Sequence, residues 1–393
     1  MAANGSAERL ALPMARGMFG CMKLTALFVR IALPLLPLSV RAADEWRVWR
    51  GDSAMTGVSE ATFKFPLKLA WKFAAARPVK ATAVSDGSFY FIGDGKGVFR
   101  SLKAADGTVA WEFTAKDAIE GSALLAGDLV IFGSLDGSVY ALEAATGKER
   151  WRFATEGEVR SGPNVWMREG GKPLVIVGSY DNKLYALDGA TGAKVWVVET
   201  GNYVNGSASL TDGQLMFGGC DGYLYFVKLE DGSETGKTEV NNPISSTVAA
   251  RDGVAVFGHY GNEVVAVDAR TRVPKWTYKD REFPFFSSPA ITAEGMVYVG
   301  DRGKRLHCLS LADGEEKWSF RAKGRVDSSP VVAGEAVLFG SDDGFIYAVR
   351  AKDGEELWKY EAGQPVQTSA CPAAGGLVMG ADDGVIYCFR GAE

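Results

Sequence analysis

Residues 186–196 read Ala-Leu-Asp-Gly-Ala-Thr-Gly-Ala-Lys-Val-Trp. The Thr191-Gly192 pair is a place for the chain to reverse, because glycine takes a positive φ without a side-chain clash, and Trp196 follows four residues later on a strand. The phrase returns along the chain. Tryptophans in the same local setting are Trp71 (LAWKF), Trp111 (VAWEF), Trp151 (ERWRF), Trp196 (KVWVV), Trp276 (PKWTY), Trp318 (EKWSF) and Trp358 (ELWKY). Their intervals are 40, 40, 45, 80, 42 and 40. The interval of 80 hides one degenerate copy, in which Gly236 holds the tryptophan position four residues after Asp231-Gly232. A unit of about 41 residues written eight times, from Phe65 to Phe389, is the signature of a repeat architecture.

Each copy parses into four short strands. In the second, residues 122–125 begin it, 128–133 follow, Asp136-Gly137 turns, 138–142 come next, and Thr146-Gly147 turns into 149–153. Alternating apolar residues such as Val139 and Ala141 fit a period of two, and no helical period is sustained. A lone four-stranded unit cannot bury both faces, so it must stack on copies of itself, and the closed solution is a propeller. Gly236 lacks the indole, which predicts a looser joint there unless another side chain fills the gap.

The two ends complete one another. The last copy, residues 369–389, has three strands and lacks its tryptophan strand, whereas residues 66–73 are a tryptophan strand with nothing before it. Pairing them removes the free edge between first and last blades. The predicted fold class is therefore all-β: an eight-bladed β-propeller of four-stranded antiparallel blades, closed by the N-terminal strand joining the C-terminal blade.

The phrase Ala186, Asp188, Thr191, Gly192, Trp196 resembles the tryptophan-docking repeat A-x-D-x-x-T-G-x-x-x-W of the pyrroloquinoline quinone (PQQ) propeller family. Ala141, Thr146, Gly147 and Trp151 match it with Glu143 in place of the aspartate, and the opening Trp46-Arg-Val-Trp49-Arg50-Gly51 with Gly57-Val58-Ser59 looks like the lead-in of exported members. The resemblance implies that Trp71, Trp111, Trp151, Trp196, Trp276, Trp318 and Trp358 are structural docking residues that pack between blades. In size and blade count the chain is similar to BamB-type exported propellers, which implies a non-catalytic scaffold for protein–protein interaction in the cell envelope. Other members are quinoprotein dehydrogenases. For them the resemblance implies PQQ with calcium as cofactors, Glu120, Asn205 and Asp327 as calcium ligands, Arg160 beside the quinone and Asp327 as catalytic base. Against that alternative stand the short connections between repeats, the lack of adjacent cysteines and the lack of a C-x-x-C-H haem motif.

In a propeller the first strand of each blade lines a central channel. Nine residues after each tryptophan position stand Lys80, Glu120, Arg160, Asn205, Ser245, Phe285, Asp327 and Gln367, a mixed polar rim. The sixth channel strand is reached through Lys279-Asp-Arg-Glu-Phe-Pro-Phe-Phe286. Phe283, Phe285 and Phe286, with Tyr203 on the fourth blade's incoming loop, are expected to form an exposed aromatic patch for a protein partner. His307 takes the place of a sister tyrosine and is expected in inter-blade packing, and His259 is expected at the surface.

Residues 22–42 carry a positive start at Lys23, an apolar run to Leu38 and a small-residue site ending at Ala42, the pattern of an export signal that precedes a soluble periplasmic or extracellular protein. Arg30, Pro34 and Pro37 interrupt the run, which argues against a spanning helix. Cys21 precedes the apolar stretch and is not placed for acylation. The expected organisation is a signal over 1–42, a lead-in over 43–64 and the propeller over 65–393. The formal charge of -5, from 43 basic and 48 acidic residues, argues against nucleic acid as a partner. With 2 histidines, His-rich metal sites are excluded. A monomer with an envelope protein partner is expected.

Overall fold

The computed structural model describes residues 44–211 and 213–391. The segment read as an export signal, with Cys21 and the cleavage site after Ala42, lies outside the described residues. The rest is an eight-bladed β-propeller, each blade a four-stranded antiparallel sheet. Blade 2 shows the plan, with strands Leu124–Ala126, Leu129–Gly133, Ser138–Glu143 and Glu149–Ala154 running outward from the axis. Burial follows radius. The second strand, LVIFG, is buried throughout because neighbouring blades cover both its faces, whereas the outermost strand, ERWRFA, alternates and carries its charges to the rim.

Closure occurs as the two chain ends dictate. Leu67–Ala74 pairs antiparallel with Val385–Gly391, setting Trp71 opposite Cys388 and Lys72 opposite Tyr387, and so becomes the outer strand of blade 8. Between blades the indoles act as wedges. Those of Trp71, Trp111, Trp151, Trp196, Trp276 and Trp318 each donate Nε1–H to a carbonyl of the next blade at 2.8–3.1 Å. Each lies over that blade's turn glycine. At Gly147, whose φ is 73°, a Cβ would come within 2.5 Å of the Trp111 ring, so glycine is needed there for both backbone and space. Trp358 differs. The next blade's outer strand comes from the chain start, no equivalent turn exists, and Trp358 packs edge-on against Phe389 at 5.0 Å.

The joint after Gly236 is filled from the other side. Arg272 stands where sister turns have glycine, at φ 64°, and its side chain occupies the space of the missing indole: a Cβ on Gly236 would meet Arg272 Cδ at 2.9 Å. The guanidinium lies 5.7 Å from the centre of the Phe226 ring. The looser joint expected from sequence is thus averted by a reciprocal exchange. Arg272→Gly should cost about 1–2 kcal/mol, a cavity loss partly offset by relief of the left-handed backbone. Gly236→Trp alone should clash, and the double variant should recover most of the loss, with a favourable coupling of about 2 kcal/mol in urea unfolding. Additive effects would show that the two positions do not compensate.

The lead-in is the main feature that repeat counting does not reveal. Residues 44–59 run around the axis and bond to all eight blades. Carbonyls of Asp44, Trp46 and Arg47 accept the amides of Ala374, Ser85 and Leu125. Ser53 O accepts Asn164 Nδ2 and the Leu210 amide, and Ala54, Thr56 and Gly57 accept those of Ala250, Ile291 and Val332. Val58–Ser59 finally pairs parallel with Val331–Ala333. The inner strands face the axis with edge amides that need partners, and the lead-in supplies them. At its centre Arg50 is wholly buried, donating to the carbonyls of Pro330 at 2.7 Å and Pro289 at 2.8 Å. Gly57 leaves the room this guanidinium fills.

Candidate functional site

The innermost strands and the lead-in together make a cup of about 190 Å³ on the propeller axis. Its rim holds Lys80, Glu120, Arg160, Asn205, Ser245, Asp327 and Gln367, seven of the eight expected positions. The eighth is corrected. Phe285 is 0% exposed and packs within blades 5 and 6, 5.6 Å from His307, and it is Phe286 that lines the cup. The longer interval before Trp318 shifts the register of blade 6's incoming loop by one residue.

Below the rim lies a belt of hydroxyls that sequence reasoning missed: Thr82, Ser122, Ser207, Thr247, Ser288, Ser329 and Ser369, with Gly162 in blade 3. Backbone amides at several belt positions donate to the hydroxyl of the next blade, Ser207 to Thr247 at 2.8 Å, Thr247 to Ser288 at 2.9 Å, Ser288 to Ser329 at 2.9 Å and Ser369 to Thr82 at 2.9 Å. Aligning the repeats eleven residues past each tryptophan position exposes this column, with Ser288 one residue later for the same reason as Phe286. Trp49 lines the cup from the lead-in, its Nε1 buried without a partner.

The rim charges are spent on one another. Glu120 lies between Lys80 Nζ, at 3.3 Å, and the Arg160 guanidinium, which also holds Glu158 at 2.7 Å. Burial pulls the Arg160 pKa down, but Glu158 and Glu120 outweigh it and hold the group firmly protonated. Asp327 is clasped by Arg302 through Nε and, at 2.8 Å, through a terminal nitrogen. Asn205 accepts the Tyr180 hydroxyl at 2.7 Å and donates to Ser245 O at 3.1 Å. Calcium takes six to eight oxygens in one shell. Glu120 and Asp327 are each already neutralised by an arginine and belong to no cluster of three acidic or histidine ligands among the described residues, so Glu120, Asn205 and Asp327 do not offer that shell. With Arg160 committed to two glutamates and Asp327 to Arg302, the donors implied for a quinone and a catalytic base do not fit either.

The aromatic side chains divide. Tyr203 is 46% exposed and stacks on Tyr180 with centroids 4.6 Å apart, and Phe283 is 39% exposed with Arg281 beside it. Phe286 is half-buried between the Arg302 guanidinium, 3.9 Å from its ring centre, and Tyr260, 4.4 Å away. Tyr260, 51% exposed, extends the patch. Its neighbour His259 is corrected from surface to core: it occupies the buried place of Ser134 and Ser341 in sister turns, accepts the Gly261 amide at Nδ1, and burial lowers its pKa. His307 is also wholly buried, in the tyrosine place of its blade. Asp343 and Asp383 accept the hydroxyls of Tyr347 and Tyr387. All four cysteines of the described residues are free.

Comparison with known proteins places these features. A family model described as outer membrane protein assembly factor BamB matches residues 40–199, 97–284 and 284–391. No curated protein sequence matches significantly. Among solved structures, BamB from Moraxella catarrhalis is 17% identical, with a TM-score of 0.68 over 82% of this chain and 99% of that one. The quinohemoprotein alcohol dehydrogenase of Comamonas testosteroni is 15% identical, with a TM-score of 0.75 over 91% and 82%. The computationally designed Ika8 protein is 17% identical at 0.70, over 82% and 99%. At these identities the likeness is one of fold.

Proposed function

The chain belongs to the family of outer membrane protein assembly factor BamB, and from that premise we propose that it is an exported, non-catalytic scaffold that binds a protein partner in the cell envelope through its channel face. The observation that carries this reading is the exposed aromatic set Tyr203, Tyr260 and Phe283, backed by the half-buried Phe286 and by Arg281 and Arg302. Aromatic rings held by stacking lose little side-chain entropy on binding and present large apolar area beside cations, the chemistry of interface anchors. The paired rim supports the same reading. Both of its carboxylates, Glu120 and Asp327, are held by arginines.

Export rests on residues 22–42, and no helix among the described residues is long and apolar enough to cross a membrane. Changing Tyr203, Tyr260 and Phe283 together to serine should abolish recovery of envelope proteins captured by site-specific photo-crosslinking from the channel face. An unchanged set of captured proteins would refute the scaffold reading. The purified chain with PQQ and calcium should show no saturable change in quinone absorbance. Saturable binding lost in Glu120→Ala or Asp327→Ala would replace a scaffold with a quinoprotein.

A further inference from the structure

Beneath the aromatic loop of blade 6 lies a group of side chains that neither the rim nor the ring packing uses. In blades 2, 3, 4, 7 and 8, a third-strand tyrosine bonds an aspartate four residues earlier, as Tyr140 does with Asp136 at 2.5 Å. Blade 6 has His307 for the tyrosine and Gly303 for that aspartate, and its acid stands two residues earlier, at Asp301. One ligand-type atom each from Asp280, Asp301 and His307 lie within 4.8 Å of one another. Asp301 and His307 are 0% exposed, and His307 Nε2 and Asp301 Oδ2 face each other at 3.3 Å as a close charged contact, with no hydrogen bond in good geometry from either atom among the described residues.

The far sides of both groups are held. Asp301 Oδ1 accepts the Arg305 amide at 2.7 Å. His307 Nδ1 is 2.9 Å from Glu316 Oε2, which also accepts the Tyr278 hydroxyl. Gly303 leaves space beside the Asp301 carboxylate, since a Cβ there would come within 2.7 Å of both Oδ2 and the Phe283 ring. Asp280, half-buried on the loop, accepts the neighbouring Arg281 guanidinium at Oδ2, at 3.2 Å, a partly exposed pair that an ion would have to compete with.

We propose that Asp280, Asp301 and His307 form a binding site for one divalent transition-metal ion of the zinc class. An imidazole nitrogen with carboxylate oxygens suits zinc, cobalt or manganese, whereas calcium and magnesium prefer all-oxygen shells. A metal-bound imidazole characteristically gives its other N–H to a carboxylate, and Glu316 stands at Nδ1 in that role. The two buried atoms stand 3.3 Å apart, the spacing of two neighbouring ligands on one tetrahedral ion, and three protein ligands leave a position for water. The ion would tie the incoming loop of blade 6, and Phe283 with it, to the blade's second and third strands.

The test is metal titration of the chelator-dialysed full chain, with zinc competing against a chromogenic chelator and cobalt followed by visible absorption. One equivalent is expected, with cobalt bands of a low-symmetry site. Asp301→Asn and His307→Gln should remove it. Asp280→Ala, at a half-buried loop position, should weaken zinc at least tenfold, and Glu316→Gln by about 10–100-fold. Absence of stoichiometric binding would overturn the proposal. So would binding unchanged in Asp280→Ala, which would place the ion elsewhere, for example on a free cysteine.

Discussion

Arg50→Ala should lower the stability of the propeller by about 3–5 kcal/mol, the sum of two buried carbonyls left unpaired and a side-chain-sized cavity. The donors lost are those to Pro330 and Pro289, carbonyls that precede the first strands of blades 7 and 6. Burial lowers the guanidinium pKa to about 9, against the pull of Asp52, so the group is still charged at neutral pH and its desolvation is offset by these bonds together with the attraction of Asp52. Arg50→Lys should recover little, because a single ammonium cannot span both carbonyls as the planar fork does. The lead-in should also become cleavable in limited proteolysis under conditions where the parent resists. A melting temperature equal to the parent's, with an uncut lead-in, would show that the plug is held by its backbone bonds alone.

Trp71→Ala should cost a similar amount, about 3–5 kcal/mol, and its effect should be localised. Trp71 is 8% exposed, donates to Ala104 O at 3.1 Å, stands edge-on to Tyr90 at 6.0 Å and sits on the strand that closes the ring. Its loss loosens the contact of blade 8 with blade 1 on the strand whose pairing with Val385–Gly391, inside blade 8, is the one outer-strand pairing no covalent turn spans. In hydrogen exchange, amides of Leu67–Ala74 and Val385–Gly391 should lose protection together, whereas Trp151→Ala should destabilise without opening the closure. Uniform loss of protection in both variants would mean that the ring unfolds as one unit and that closure is not its weak point.

The parts of the site that sequence revealed are those governed by distance along the chain. Lys80, Glu120, Arg160, Asn205, Ser245, Asp327 and Gln367 share one offset from the tryptophan, and one offset in a repeat is one radial position. Phe285 failed that rule because the insertion in its loop moved Phe286 inward instead. His259 departs from its expected surface position because residue type is a weaker guide than repeat position: its place in the turn is one that serine fills, buried, in other blades. The pairing of Asp327 with Arg302, which decides what the carboxylate can bind, involves two different offsets 25 residues apart.

Eight units, antiparallel strands, indole wedges and closure by opposite termini all follow from the order of residues alone, because each unit must bury its faces on a neighbour of like pattern. What the tertiary structure decided is what happens on the axis. There the eight inner strands converge and amides, carboxylates and guanidiniums from distant repeats come within bonding range. Residues 44–59 circle that axis, fill one end of the channel and turn it into a cup. No periodicity encodes those meetings, since they depend on the radius at which the ring closes.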